Sequence, residues 1–355
     1  MKLPRALLGV VLSVVTAAGG SAMFRSSDLV VVPVAASTKG LQGSDWHSDL
    51  EIMNVDSEPI DVIIVYLPTG NQDNRLWYQN MDHVLGGRRD DGFGIIDEKL
   101  KDIPPGNAVV LEDIVKTAWG DNEKGTLLVF GIKAGSYKQT TPVGGTPRKI
   151  LVNSRTYSLS KNAEDKPLTF GQSTPGIPWY YYIDPGKKNK HLDHVVFSGI
   201  REDASYRCAL GLANISDSLT SLSVKITLKN PDGTLLAEET VGLKPLAHIQ
   251  YDKFLYDNLL GQPTDKTVTN GTLIVSVAGY MSPGENTTPA LLAYVTRTDN
   301  LTNDPVYLEQ RFEPELPWDC VFNGQNCPSA NPSSADLQRD RPFRRPLDPP
   351  RPGMP

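Results

Sequence analysis

The densest group of metal-ligand side chains in this sequence is His191-Leu192-Asp193-His194. Two imidazoles three positions apart share a face of a helix and, with a third ligand, hold a metal ion that activates water for hydrolysis. The flanks favour a turn instead. Pro185-Gly186 precedes the group, Val195-Val196-Phe197 follows it, and the motif lacks a third ligand. His47, His83 and His248 are scattered, and nothing in sequence sets a nucleophile beside them. The chain contains no G-x-S-x-G, no H-E-x-x-H and no phosphate-cradling glycine loop, so no catalytic residue is expected.

Oxygen donors crowd Asp299, Asn300, Asn303 and Asp304 just before Pro305. Asp299, Asn303 and Asp304 are therefore the candidate metal ligands, and Ca²⁺, which takes about six to eight oxygens, is the ion they would suit. A polar turn accounts for the same residues and is the favoured reading, because Asn and Asp side chains bond nearby backbone. Asp90, Asp91 and Asp97 read as a solvated loop in the same way. The aromatic run Trp179-Tyr180-Tyr181-Tyr182, between Pro178 and Pro185, is the candidate binding platform for a sugar or a protein. Packing in a seam between two domains is the plainer alternative. Cys320 and Cys327 are spaced to close a small disulfide loop in an oxidising compartment, and Cys208, in a strand-like stretch, reads as a buried inert thiol.

These residues lie on a repeated pattern. Leu50-Glu51-Ile52-Met53-Asn54-Val55 lines up with Leu210-Gly211-Leu212-Ala213-Asn214-Ile215, and a polar turn and a second alternating run follow both. Ile103-Pro104-Pro105 before Val109, Leu111 and Ile114 matches Leu243-Lys244-Pro245 before Ile249, Tyr251 and Phe254. Gly125-Thr126-Leu127-Leu128-Val129 matches Gly271-Thr272-Leu273-Ile274-Val275, and Ser154-Arg155-Thr156 matches Thr296-Arg297-Thr298. Four blocks in one order indicate a duplication, with the surplus of the first copy in the stretch Asn71 to Asp102.

Short alternating strands broken by Gly, Pro, Asn and Asp predict an all-β fold: two tandem antiparallel sandwiches whose strands bury one face and wet the other. Helical periodicity is confined to Leu111–Trp119 and Tyr251–Leu260, one or two turns each. The expected organisation is a first sandwich over 23–160, a linker or leading strand over 161–190, a second sandwich over 191–312 and a tail over 313–355. The last 28 residues hold 8 Pro and few apolar side chains, which predicts a disordered, polyproline-like segment.

Composition bounds the partners. With 39% hydrophobic residues the chain has enough apolar material for a core. Lys+Arg 35 against Asp+Glu 41, a net charge of −6, excludes a nucleic-acid partner as the main role, since phosphate binding needs a basic face. Lys2 and Arg5 before the apolar run Ala6 to Val15, with small residues through Ala22, read as a cleaved secretory signal over 1–22. No later segment has membrane-spanning length, so a secreted, periplasmic or cell-surface protein is expected.

Val32-Pro33-Val34-Ala35-Ala36, Gly40 and Trp46-His47-Ser48-Asp49-Leu50-Glu51-Ile52-Met53-Asn54 resemble the opening of a repeat in uncharacterised secreted bacterial proteins. Asn153-Ser154-Arg155-Thr156-Tyr157 with Thr169-Phe170-Gly171-Gln172, and Ala293-Tyr294-Val295 with Asp299-Asn300-Leu301-Thr302-Asn303-Asp304-Pro305, are similar to its later parts. The resemblance implies tandem immunoglobulin-like β-sandwiches and supplies no catalytic residues, metal or cofactor. The functional expectation is an exported, non-catalytic structural or adhesion protein that meets an unknown protein or glycan. The alternatives are a carbohydrate-binding module and a metal-assisted hydrolase.

Overall fold

A computed structural model describes residues 26–75, 83–86, 97–137, 144–161, 165–186, 193–216, 220–256, 259–261, 266–281 and 289–311. His191, Asp90, Asp91, the leader expected over 1–22, the tail expected over 313–355 and the loop expected at Cys320 and Cys327 lie outside them. Among the described residues the fold is all-β, its strands pair antiparallel, and there is little helix.

In the first half, strands β1 (Leu29–Lys39), β3 (Ile60–Pro68), β4 (Val84–Gly86) and β6 (Glu123–Lys133) form a sheet in the order β4-β3-β6-β1. Strands β2 (Asp45–Asn54), β5 (Ala108–Leu111), β7 (Ile150–Lys161) and β8 (Pro167–Pro175) form the order β5-β2-β7-β8, and the end of β1 hairpins onto β2 to join the two. Val62 and Ile64 of β3 and Val129 of β6 pack across the gap on Leu50 and Ile52 of β2 and Val152 of β7. Helix α1 (Ile114–Trp119) closes one end with Ile114 and Val115 in the same core.

The second half repeats this order. Strands β10 (His194–Glu202), β12 (Ser221–Lys229), β13 (Leu235–Leu243) and β15 (Val268–Met281) run β10-β15-β12-β13. Strands β11 (Tyr206–Asn214), β14 (His248–Asp252), β16 (Leu291–Asp299) and β17 (Pro305–Leu308) run β14-β11-β16-β17. Matching extends to register. Ala35 pairs with Gly125 and Ile200 with Gly271, each just past a bulge; Leu50 pairs with Leu111 and Leu210 with Tyr251. Asn54 and Asn214, both fully buried, each accept from the amide two residues on and donate to two carbonyls, tying the turn after the strand to the loop before β5 or β14.

Three sequence expectations are corrected. The block Ser154-Arg155-Thr156 does not match Thr296-Arg297-Thr298: Leu50 pairs with Ser154 whereas Leu210 pairs with Val295, so the alignment is one residue out. A one-residue slip exchanges the two faces of a strand, and only the corrected register puts Ala293 and Val295 into the core where Val152 sits in the first half. Tyr251–Leu260 yields no helix among its described residues; Lys253 takes left-handed φ 52 and the chain turns. Part of 161–190 is sheet: β8 completes the first half, and β9 (Ile177–Pro178) pairs with β1.

The alternation of buried and wet positions holds in β12, where every second residue is buried. It fails in β3, all nine residues of which are buried. The outer face of its sheet is covered by the second half: Leu29, Ile63, Val65 and Leu128 share a cluster with Ala213, Ile215, Leu246 and Leu292. The unbroken apolar run 62–68, after Asp61, is what a strand buried on both faces requires. Asn71 and Asn74, at the start of the first-half insertion, clamp this joint. Asn71 donates to Gly242 O (2.8 Å) and accepts from Lys244 N (3.0 Å), and Asn74 donates to Leu246 O (2.8 Å).

Candidate functional site

The β16–β17 loop carries the oxygen-rich residues singled out for calcium. The Asp299 carboxylate accepts from Leu301 N and Thr302 N, both at 2.8 Å, and from Thr302 Oγ1 at 3.1 Å. Those donors hold it below the usual carboxylate range. Arg207, on β11, donates from Nη1 to Asn300 Oδ1 (2.9 Å) and from Nη2 to Asn303 Oδ1 (2.8 Å). The amide oxygens that would face a metal ion therefore face a buried guanidinium, whose pKa desolvation lowers. The loop is a tied turn, and at its tip Leu301 is 91% exposed.

The aromatic run sits at the joint. Tyr182 is buried, and Trp179 and Tyr181 pack on the cluster shared by the two halves. Trp179 Nε1 donates to Asp28 (3.0 Å), and Gln310 donates to the Tyr181 carbonyl (2.9 Å). His194 opens β10 beside Asp193, 3.1 Å from it. Cys208 is fully buried, its thiol pushed up to about 12 by burial.

Sequence reasoning missed two histidine arrangements. His47 Nδ1 lies 2.9 Å from Asp113 Oδ2 and its Nε2 lies 3.4 Å from Asp45, while the ring stacks on Tyr157. Asp113, left-handed at φ 45 before α1, donates its amide to Asp49, which also accepts from Tyr157 OH. Burial, then Asp49, pushes that phenol up to about 12. The cluster orients an imidazole between carboxylates, which is half of an acid–base device. Among the described residues it brings His47 no hydroxyl or thiol within hydrogen-bond reach. A signal for part of it was present in the alternation Asp45-x-His47-x-Asp49, which puts three polar groups on one strand face.

The second arrangement runs outward from two buried rings, His248 and Tyr294. His248 Nε2 meets Tyr294 OH at 3.1 Å, Tyr294 OH donates to Gln250 (2.8 Å), Gln250 donates to Asp252 (2.6 Å), and Lys124 of the first half reaches Asp252 at 3.3 Å. The Tyr294 ring lies over Gly211, where an added Cβ would come within 1.9 Å of it, so glycine is required. The chain of contacts ends at a cavity of about 100 Å³ between the rim of the first pair of sheets and the outer face of β11, β14 and β16.

No protein-family model matches the sequence, and no curated protein matches it. No helix among the described residues is long and apolar enough to cross a membrane.

Proposed function

We propose that the chain is a tandem pair of immunoglobulin-like β-sandwiches, descended from one module, that is exported and serves as a non-catalytic binding or adhesion scaffold. The tandem reading is supported by the shared strand orders and by details that recur at matching positions: the bulge before Ala35 and Ile200, the buried Asn54 and Asn214, and the left-handed Asp113 and Lys253 two residues past the paired Leu111 and Tyr251.

One observation carries the binding reading. Leu301 projects from a loop tied down through Asp299, Asn300 and Asn303, on a half of the molecule fixed to the other by a common apolar cluster. An exposed apolar side chain on a pre-organised loop is what an interface anchor needs, because little ordering entropy is lost when it is covered. The immobilised full chain should capture a partner from the surface fraction of the producing cell, and Leu301→Asp should lose that capture while its thermal midpoint stays that of the wild type. Equal capture by the variant refutes the reading. Turnover that disappears in His47→Ala or His194→Ala would replace it with the hydrolase.

A further inference from the structure

We infer that the cavity between the two halves is a binding site for a neutral polyol, whose C–H face rests on Trp46 and whose hydroxyls meet Gln172. Trp46, half-buried on β2, forms part of the cavity wall beside Val34 and Leu41. Its indole is fixed by close packing. A Cβ added at Gly40 would come within 2.5 Å of the ring Nε1, so the backbone approaches the indole there as only glycine allows. A pre-set aromatic wall with a few polar groups is how small-molecule sites combine apolar contact with orientation.

Gln172 supplies the polar group. It lies on β8, is 8% exposed and lines the cavity; its Nε2 donates to Thr296 Oγ1 at 3.1 Å, and its Oε1 is buried without a partner. Turning the amide over exchanges which atom meets Thr296 but still leaves one polar atom unsatisfied. The terminal torsion of glutamine is broad, so a small rotation brings that atom to an entering hydroxyl, which donates and accepts and so serves either orientation. Charge gives an anion no advantage. Lys39 pairs with Asp45 and Lys124 with Asp252, while Arg207 is held by Asn300 and Asn303 with the charges of Asp252 and Asp299 close by. Of the lining cations only Lys253 lacks a carboxylate partner among the described residues, and one ammonium also donates to a hydroxyl oxygen. The space, about 100 Å³, is smaller than the ~150 Å³ that admits benzene, which sets the inserted group at roughly half a dozen heavy atoms. Two sources have this chemistry: a free three-carbon polyol, and one edge of a terminal neutral sugar. The site stands apart from Leu301 and does not depend on the adhesion reading.

The test is saturation-transfer NMR of the full chain, titrated with glycerol, methyl glucoside, cyclohexanol and sodium lactate at one ionic strength. Glycerol or methyl glucoside should bind with a Kd of about 10 mM or tighter. Glycerol without the glucoside identifies the free polyol, and the glucoside without glycerol the sugar edge. Trp46→Ala and Gln172→Ala should each weaken the ligand by roughly fivefold, the worth of one aromatic contact and of one hydrogen bond, and either variant serves if the other does not fold. Cyclohexanol or lactate binding as tightly as the polyol, no transfer to either polyol, or full affinity in a folded Trp46→Ala or Gln172→Ala each overturns the assignment.

Discussion

His248 makes the molecule sensitive to mild acid. It is fully buried, and desolvation, assisted by the charge of Lys124, brings its pKa down to about 3 from the roughly 6.5 of a histidine in an unfolded chain. Protonation therefore favours the unfolded state. Stability is complete above the unfolded pKa and is lost as pH falls toward the folded one. At about 1.4 kcal/mol per pH unit, the linkage removes about 2 kcal/mol between roughly pH 7.5 and pH 5, and about 4 kcal/mol if followed down to pH 3. The first figure corresponds to a loss of about 4–8 °C in thermal midpoint for a domain of 150–250 residues. The measurement is urea unfolding across this pH range for wild type and His248→Gln. Glutamine retains a partner for Tyr294 and cannot titrate, so carboxylates and the other histidines cancel in the difference. The two pH profiles should diverge by about 2 kcal/mol at the acid end, whatever the variant's absolute stability. Superimposable profiles would refute the buried-neutral account of this side chain.

Two further outcomes follow from the same packing. Gly211→Ala should cost about 1–3 kcal/mol in unfolding free energy, because the new methyl group displaces the Tyr294 ring and breaks its contacts with His248 and Gln250; an unchanged midpoint would mean that the ring moves freely. Cys208 should resist alkylation in the native state and react at the rate of global unfolding, since burial suppresses its thiolate; prompt labelling at Cys208 itself, located by peptide mapping, would contradict its place in the core.

The strands were legible in sequence where one face meets water. β12 shows this in its unbroken alternation. β3 was legible as a strand, but its second buried face depends on residues such as Ala213, Leu246 and Leu292, far along the chain. The matching blocks at Leu50, Ile103 and Gly125 correspond in strand pairing, because each couples an apolar pattern to a glycine, an asparagine or a turn. The Ser154 block has only Ser, Thr and Arg to align, and alternating polar residues do not fix a register. The candidate sites were the least visible. His47 meets Asp113 through a strand-to-helix turn 66 positions away, and Gln172 meets Thr296 across the two halves. Neither distance leaves a motif.

His47 and Arg207 explain why comparing the halves does not transfer a site from one to the other. They occupy matching places in sheets of the same order, opposite Tyr157 and Thr298 on the neighbouring strand. In the first half Asp113, just before α1, holds the imidazole. In the second half the strand face turns toward the first half, Lys253 stands where Asp113 would, and the guanidinium is held by neutral amides from the β16–β17 loop. The proposed duplication thus supplies a common backbone, while what covers each sheet decides the chemistry at equivalent positions.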